Sequence, residues 1–368
     1  MTTVRHVLGI SGGKDSAALA IYMHQRYPEL DIEYYTCDTG KELDETYQLI
    51  KNLEVYLGKP ITLLQAADQS TQDPFDHYLK LYGGFLPSAN SRWCTKKLKL
   101  EPFEKFVGTD PVVSYVGIRG DEDREGYISK KTNIQSIFPF RKNIWSADVV
   151  SKVLTNSNAA TVADLYEQLA LTNPNDRFAE VLGKPVSFSF PQGQKLNLLL
   201  DLDTRRFNEL VFAFLKQTNY PLAGEMTFPL IDNDEVLVRD DIFRLLGDSG
   251  VGVPAYYNRL NFAVNGKQGQ YSRSRSGCYF CFYQQKIEWI WLYEQHPDRF
   301  AKAVAYEKDG YTWNDDETLE AMIAPARMQA IKEEYIKRTS RNAQKSKSPY
   351  LLDILGDAEG DGCAACFI

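Results

Sequence analysis

Short apolar runs alternate with longer amphipathic stretches over the first third of the chain. Val7-Leu8-Gly9-Ile10 is apolar and ends in Ser11-Gly12-Gly13, after which Ala17 to Tyr27 carries an Ala/Leu-rich helical pattern stopped by Pro28. Ile32 to Cys37 reads as a strand that runs into Asp38-Thr39-Gly40, and Glu45 to Tyr56 places Leu49, Ile50, Leu53 and Tyr56 on one helical face. Pro60 to Leu64 and Val112 to Val116 are further strand-like runs, the second ending in Gly117-Ile118-Arg119. Strands alternating with helices predict βαβ units, hence an α/β fold with a doubly wound, mainly parallel sheet. Ligands of such sheets gather at the carboxyl ends of the strands, where the Ser11 turn and Asp38 both fall.

Beyond residue 142 the pattern changes. Residues 143–222 hold helix-like segments, the apolar runs Leu196 to Leu202 and Leu210 to Leu215, and the turn Asn173-Pro174-Asn175-Asp176, which predicts a helical insertion. A helix with Ile287, Trp289, Ile290, Trp291 and Tyr293 ends at His296-Pro297, and its tryptophans are expected in the core. Asn342 to Tyr350 is polar, basic and proline-marked, and reads as a linker to a segment, Leu351 to Leu355, that can dock on the body.

Composition narrows the classes. With 43% hydrophobic residues in 368, the chain can build a sizeable core, so global disorder is excluded. A formal charge of -7 excludes a strongly basic protein that coats nucleic acid, while leaving room for a local basic groove. The start Met-Thr-Thr-Val-Arg-His shows no signal-peptide core and the apolar runs are too short to span a bilayer, so a cytoplasmic protein without a membrane partner is expected. Cysteines stand at 37, 94, 278, 281, 363 and 366, and in a reducing compartment two C-x-x-C pairs point to metal, iron–sulfur or redox chemistry before disulfides. Cys37, inside an apolar strand, is expected to behave as a small buried hydrophobe.

The chemistry concentrates in Ser11-Gly12-Gly13-Lys14-Asp15-Ser16. A strand, a glycine turn and a helix in that order leave unpaired backbone N–H groups at a helix start, where an anion can sit. Two glycines let the backbone approach a phosphate closely. Lys14 adds positive charge, and Ser16 can cap the helix or bind an oxyanion. The loop is too short for a Walker A motif and lacks its Gly-Lys-Ser/Thr ending.

These six residues resemble the SGGxDS pyrophosphate loop of the N-type ATP pyrophosphatases, the PP-loop superfamily, which implies an adenine nucleotide alpha hydrolase-like fold. Asp38-Thr39-Gly40 resembles the DTG segment of the phosphoadenylyl-sulfate (PAPS) reductase branch, near the adenosine site. Arg92-Trp93-Cys94-Thr95, followed by Leu98-Lys99 and Pro102, is similar to a segment shared by PAPS-reductase-like and DNA-phosphorothioation pyrophosphatases. The cations at 92, 96, 97 and 99 can neutralise phosphates of a nucleotide or nucleic acid. Gly117-Ile118-Arg119 with Glu122 resembles the family's phosphate-contacting Arg stretch, although Asp123 stands where a Ser is usual, ahead of Arg124. Phe228-Pro229-Leu230-Ile231, Asp240-Asp241-Ile242-Phe243 and Gly252-Val253-Pro254-Ala255-Tyr256-Tyr257 resemble a later run of the PAPS reductases, with Asn233 near the place of its Trp. The resemblance therefore implies a PP-loop domain over 1–142 and 223–310, the insertion between, and a helical extension with a cysteine-containing tail over 311–368. It implies ATP binding by Ser11, Gly12, Gly13, Lys14, Asp15, Ser16, Asp38, Thr39, Gly117 and Arg119. Catalysis falls to Lys14, Asp15, Ser16 and Arg119, with Mg²⁺ on the departing pyrophosphate.

A Gly-Cys-x-x-Cys knuckle at Gly277–Cys281, beside Arg273 and Arg275, is a metal or cluster signal when a third cysteine is available. By resemblance Cys94, Cys278 and Cys281 would hold a 4Fe–4S cluster, with an open iron or with Cys363 or Cys366 as fourth ligand; zinc is the alternative. The tail pair can instead carry a persulfide or exchange disulfides. The expected activity is adenylylation of an acceptor oxygen by ATP followed by sulfur insertion, with DNA phosphorothioation as the nearest resemblance. Its implied partners are a cysteine desulfurase, other subunits of the modification system, and DNA or another nucleic acid as acceptor. The alternatives are reduction of PAPS or adenylyl sulfate, tRNA thiolation, and a nucleotide-sensing subunit. The reductases' E-C-G-x-H tail or Cys-Cys pair is not present.

Overall fold

The computed structural model describes residues 3–122, 131–169, 176–308, 310–314 and 316–345. Asp123, Arg124, Asn173 to Asn175, Leu351 to Leu355, Cys363 and Cys366 lie outside the described residues, as does most of the expected linker. The elements run β1 (Arg5–Gly9), α1 (Lys14–Arg26), β2 (Ile32–Asp38), α2 (Asp44–Leu57), β3 (Ile61–Gln65), α3 (Pro74–Leu81), α4 (Trp93–Thr95), α5 (Glu101–Val107), β4 (Val112–Tyr115) and β5 (Ile134–Ile137). Then follow α6 (Ala147–Leu154), α7 (Ala159–Gln168), α8 (Arg177–Gly183), α9 (Gln192–Leu215) and α10 (Arg239–Asp248). A hairpin of β6 (Leu260–Val264) and β7 (Lys267–Tyr271) precedes α11 (Lys286–Gln295), α12 (Pro297–Tyr306), α13 (Leu319–Met322) and α14 (Pro325–Lys345).

The first five strands form one sheet in the order β3-β2-β1-β4-β5, with every neighbouring pair parallel. This is the doubly wound α/β architecture that the alternation of strands and helices predicts. Both faces are covered, as a parallel sheet requires. Leu8, Tyr34, Val113 and Tyr115 point into the core built on α1, α2 and α6–α9, while their neighbours Val7, Tyr35 and Val112 join Phe103, Val107 and Cys37 on the other face. Period-2 alternation along each strand thus fills two cores at once. The chain steps outward from β1 to β2 and β3, then returns to the other side of β1 as β4. That reversal falls between β1 and β4, the place where ligands of such sheets gather.

Several segments differ from the sequence-based expectation. Helix α1 begins at Lys14 rather than Ala17, so the motif's own Lys, Asp and Ser form its first turn. Between Thr95 and Glu101 the helical path widens into a π-turn, Lys96–Leu100. Pro102 offers no N–H to the carbonyl of Leu98, which is one reason for the widening. The helices of the 143–222 stretch share a single core with α1, through Val149, Val153, Leu199 and Phe207 packed in the same cluster as Leu19 and Ile21. A second core gathers the knuckle aromatics Tyr279 and Phe280 with Trp289, Trp291 and Trp313. Trp289 and Trp291 are buried, at 0% and 2% exposure, which excludes them as a base-stacking platform. Helix α14 continues to Lys345, past the point where a linker is expected to begin. Among the described residues no helix is long and apolar enough to cross a membrane.

Candidate nucleotide site at the end of β1

Strand β1 delivers the chain into a tight turn. Gly12 adopts φ +73°, a left-handed conformation open to glycine at little cost. The turn is stapled from within: Ser11 N–H donates to Ser16 Oγ (3.1 Å), the two hydroxyls lie 3.0 Å apart, and Ser16 Oγ donates to the Gly13 carbonyl (3.2 Å). Ser16 therefore holds the turn's shape. It does not cap the helix, whose N-cap is Gly13 and carries no side-chain cap bond. The amides of Gly12 and Gly13 have no backbone partner among the described residues.

Lys14, Asp15 and Arg119 form one buried network beyond the ends of β1 and β4, each under a tenth exposed. Asp15 Oδ2 accepts from Lys14 Nζ (3.1 Å) and Oδ1 from Arg119 Nη1 (2.7 Å). Arg119 is held further by Asp121, which accepts from Nε at 2.9 Å, and by Glu122, 2.8 Å from Nη1 without hydrogen-bond alignment. Burial pulls the Asp15 carboxyl upward, but the two cations outweigh it and hold Asp15 below the usual carboxylate range. Both oxygens of Asp15 are thus committed to cations of the chain itself. Arg119 stands just beyond β4 because Gly117 lets the backbones touch. A Cβ at Gly117 would lie 2.9 Å from the Asp15 carbonyl oxygen and 3.1 Å from its carbon. Gly117→Ala is expected to push Arg119 away from the turn, destabilising the fold by about 1–3 kcal/mol and lowering nucleotide affinity; unchanged thermal unfolding and affinity would contradict this contact.

Residues distant in sequence finish the turn. Tyr256 donates its hydroxyl to the Gly12 carbonyl (2.9 Å), and the Lys14 N–H donates to the Tyr257 hydroxyl (3.3 Å) while Lys14 Nζ stands 5.3 Å over the Tyr257 ring. Thr46 of α2 and Ser276 of the knuckle press on the glycines: a Cβ would lie 2.2 Å from Thr46 Cγ2 at Gly12 and 2.6 Å from Ser276 Oγ at Gly13. The turn is therefore largely covered, and only Ser11 of the motif is part-exposed. Tyr256 and Tyr257 were visible only as part of a family-like run; their role required the fold.

Asp38 and Thr39 close a second turn at the end of β2. Asp38 Oδ1 accepts from the Gly40 N–H (2.8 Å) and the Tyr47 hydroxyl (2.9 Å), so this carboxylate caps its own loop. Thr39 Oγ1 donates to Glu42 Oε1 (2.7 Å) and lies 3.2 Å from Cys278 Sγ. The knuckle is further tied to this turn by the Tyr279 N–H, which donates to the Lys41 carbonyl at 2.9 Å. Burial, then Glu42, pushes the Cys278 thiol well up. Burial likewise raises Cys37 to about 12, with its Sγ 3.6 Å from the Lys99 carbonyl, the setting of a small apolar residue.

The cations of the 92–99 segment are drawn in several directions. Arg92 stacks on Tyr283 at 5.1 Å, and Lys97 pairs with Glu101 at 2.7 Å. Cys94 and Cys278 both border the second core. However, among the described residues no three Cys, His, Asp or Glu side chains converge to hold a metal. The expected convergence of Cys94, Cys278 and Cys281 on a metal is therefore not the arrangement found. Cys278 Sγ lies instead against the Thr39 hydroxyl, which itself donates to Glu42.

Residues 5–169 match the phosphoadenosine phosphosulfate reductase domain. The match takes in the Ser11–Ser16 turn, the Asp38 turn and Arg119, and it is consistent with the PAPS-reductase-like branch of the PP-loop superfamily. The chain is 32% identical over 153 residues to the uncharacterized protein MJ0066 of Methanocaldococcus jannaschii, an overlap of 38% of this chain and 30% of that protein. It is 30% identical over 145 residues to the uncharacterized nin region protein ORF290 of Escherichia phage lambda, covering 32% of this chain and 49% of that protein. The chain thus spans less than half the length of these relatives. No solved structure matches.

Proposed function

We propose that the chain is an ATP pyrophosphatase that activates an acceptor oxygen for replacement by sulfur, with phosphate groups of DNA as the acceptor. The observation that supports this reading is the Ser11–Ser16 turn at the reversal of strand order, with two glycine amides that have no backbone partner among the described residues and the Lys14–Asp15–Arg119 network beside it. The phosphates of MgATP would take those amides, and Lys14 and Arg119 would share the charge that builds on departing pyrophosphate. An acceptor oxygen attacks the α-phosphorus, the bond to the β-phosphate bridge breaks, and pyrophosphate leaves. A sulfur nucleophile at the sulfide level then displaces AMP, with a cysteine desulfurase and a thiol reductant as its source and other subunits presenting the DNA. Ser276 stands beside Gly13 at the edge of the turn.

A second reading is favoured by the domain match itself: reduction of an adenylylated sulfate. The two separate by product. The protein with MgATP, DNA and a desulfurase is expected to release pyrophosphate and AMP and to leave sulfur in nuclease-digested DNA, measured by mass spectrometry. Release of sulfite from adenylyl sulfate and a thiol, with no pyrophosphate from ATP, would overturn the first reading in favour of the second.

A further inference from the structure

A guanidinium beside the turn is buried with part of its hydrogen-bonding capacity unused. Arg273 follows β7 and is 2% exposed. Its backbone N–H donates to the Tyr256 carbonyl (2.9 Å), and its Nη2 donates to the Cys278 carbonyl (3.2 Å), so backbone and head group are both anchored. Nε and Nη1 are buried and have no hydrogen-bond partner among the described residues. Nor does any carboxylate among those residues form an ion pair with Arg273. Glu288 shares its pocket, but that carboxylate is occupied elsewhere: Oε1 accepts from the Ser274 N–H (2.6 Å) and hydroxyl (2.9 Å), and Oε2 from the Gln285 N–H (2.8 Å). A buried guanidinium with two bare donors is strongly unfavourable. Such a group persists where a ligand completes it.

The pocket also contains Arg275, Ser276, Cys281 and Gln284. Ser276 is the wall it shares with the glycine turn, since the Ser276 hydroxyl is the atom pressed against Gly13. Tyr256 ties the two sides together, through its carbonyl to Arg273 and through its hydroxyl to Gly12. Two anion-seeking places, one of backbone amides and one of guanidinium, therefore stand a single side chain apart.

We propose that Arg273 and Ser276 form a second oxyanion site, which takes the outermost phosphoryl or sulfuryl group of a nucleotide whose inner phosphate lies on the Ser11–Ser16 turn. An oxyanion supplies acceptors for both bare donors in a charge-assisted, bidentate arrangement that suits a guanidinium. This inference rests on the nucleotide reading of the turn and specifies its substrate class: an adenine nucleotide with at least two linked anionic groups, as in ATP or adenylyl sulfate, in preference to AMP.

The test compares wild type with Arg273→Gln and Arg273→Lys, using sulfate, pyrophosphate, AMP, ATP and adenylyl sulfate as probes. Sulfate and pyrophosphate are expected to raise the unfolding temperature of wild type. Arg273→Gln should unfold at the same or a higher temperature than unliganded wild type, because a buried guanidinium with bare donors is gone, and should lose that anion response. Its affinity for pyrophosphate and for ATP or adenylyl sulfate should fall about 10- to 100-fold, with AMP affinity unchanged; whichever nucleotide loses more names the group bound. Arg273→Lys should keep part of the response. An Arg273→Gln protein that binds every probe like wild type overturns the site and leaves the pyrophosphatase reading standing. One that is destabilised also overturns it, since the guanidinium would then be structural. Loss of the anion response together with a wild type that releases no pyrophosphate keeps the site and overturns the activity.

Discussion

Asp15→Asn is expected to lower pyrophosphate release from ATP by about 100-fold or more, since it disorders both cations that face the developing charge. The same change should cost about 3–5 kcal/mol of stability, because it leaves Lys14 and Arg119 buried without their shared carboxylate. That second effect is a consequence of geometry. Asp15 bridges Lys14 Nζ at 3.1 Å and Arg119 Nη1 at 2.7 Å, so it is a structural as well as a positioning residue. The pH dependence carries the same signature. The folded-state value of Asp15 lies below its unfolded value of about 3.9, so its contribution is full above that pH and is lost as the pH falls through the folded value. Wild type and Asp15→Asn should therefore differ most near neutrality and converge in acid, as read by denaturant unfolding from pH 7 down to about 3. If turnover and stability at neutral pH both survive the substitution, the network does not have the assigned role.

Gly12→Ala is the second large effect. Its φ of +73° would cost a side chain about 1–2 kcal/mol, and the new Cβ would stand 2.2 Å from Thr46 Cγ2. The turn must distort, and ATP affinity should fall at least about tenfold. Adding Thr46→Ala removes the collision but not the backbone strain, so the double variant should recover part of the stability and stay below wild type. Calorimetry of ATP binding together with thermal unfolding would check this. A Gly12→Ala protein that binds ATP like wild type would show that the nucleotide does not use this turn.

What could be read in advance follows the range of the interactions. The sheet from β1 to β4 was legible because each strand and helix carries its own periodicity. The Ser11–Ser16 turn was legible because two glycines stand between an apolar run and a helical pattern. The hairpin of β6 and β7 was missed although its signal is present: Asn265 and Gly266 both have positive φ, the signature of a two-residue hairpin turn. The short β5 was missed as well. It pairs with β4 through four residues, Ile134 to Ile137, too few for a periodic pattern to stand out.

Composition and local pattern by themselves determined the α/β class, the glycine turn between the first strand and the first helix, and the buried character of Cys37. These depend on contacts within a few residues or on how apolar side chains divide between two faces. Only the tertiary structure decided that Asp15 binds Arg119 across 104 positions, that Tyr256 and Tyr257 brace a turn more than 240 positions away, and that Arg273 is buried with donors to spare. It also decided that Cys278 faces Thr39 and Glu42. The physical reason is that charge pairing and desolvation are set by distance in space and by what excludes water, and neither is written in the spacing of residues along a chain.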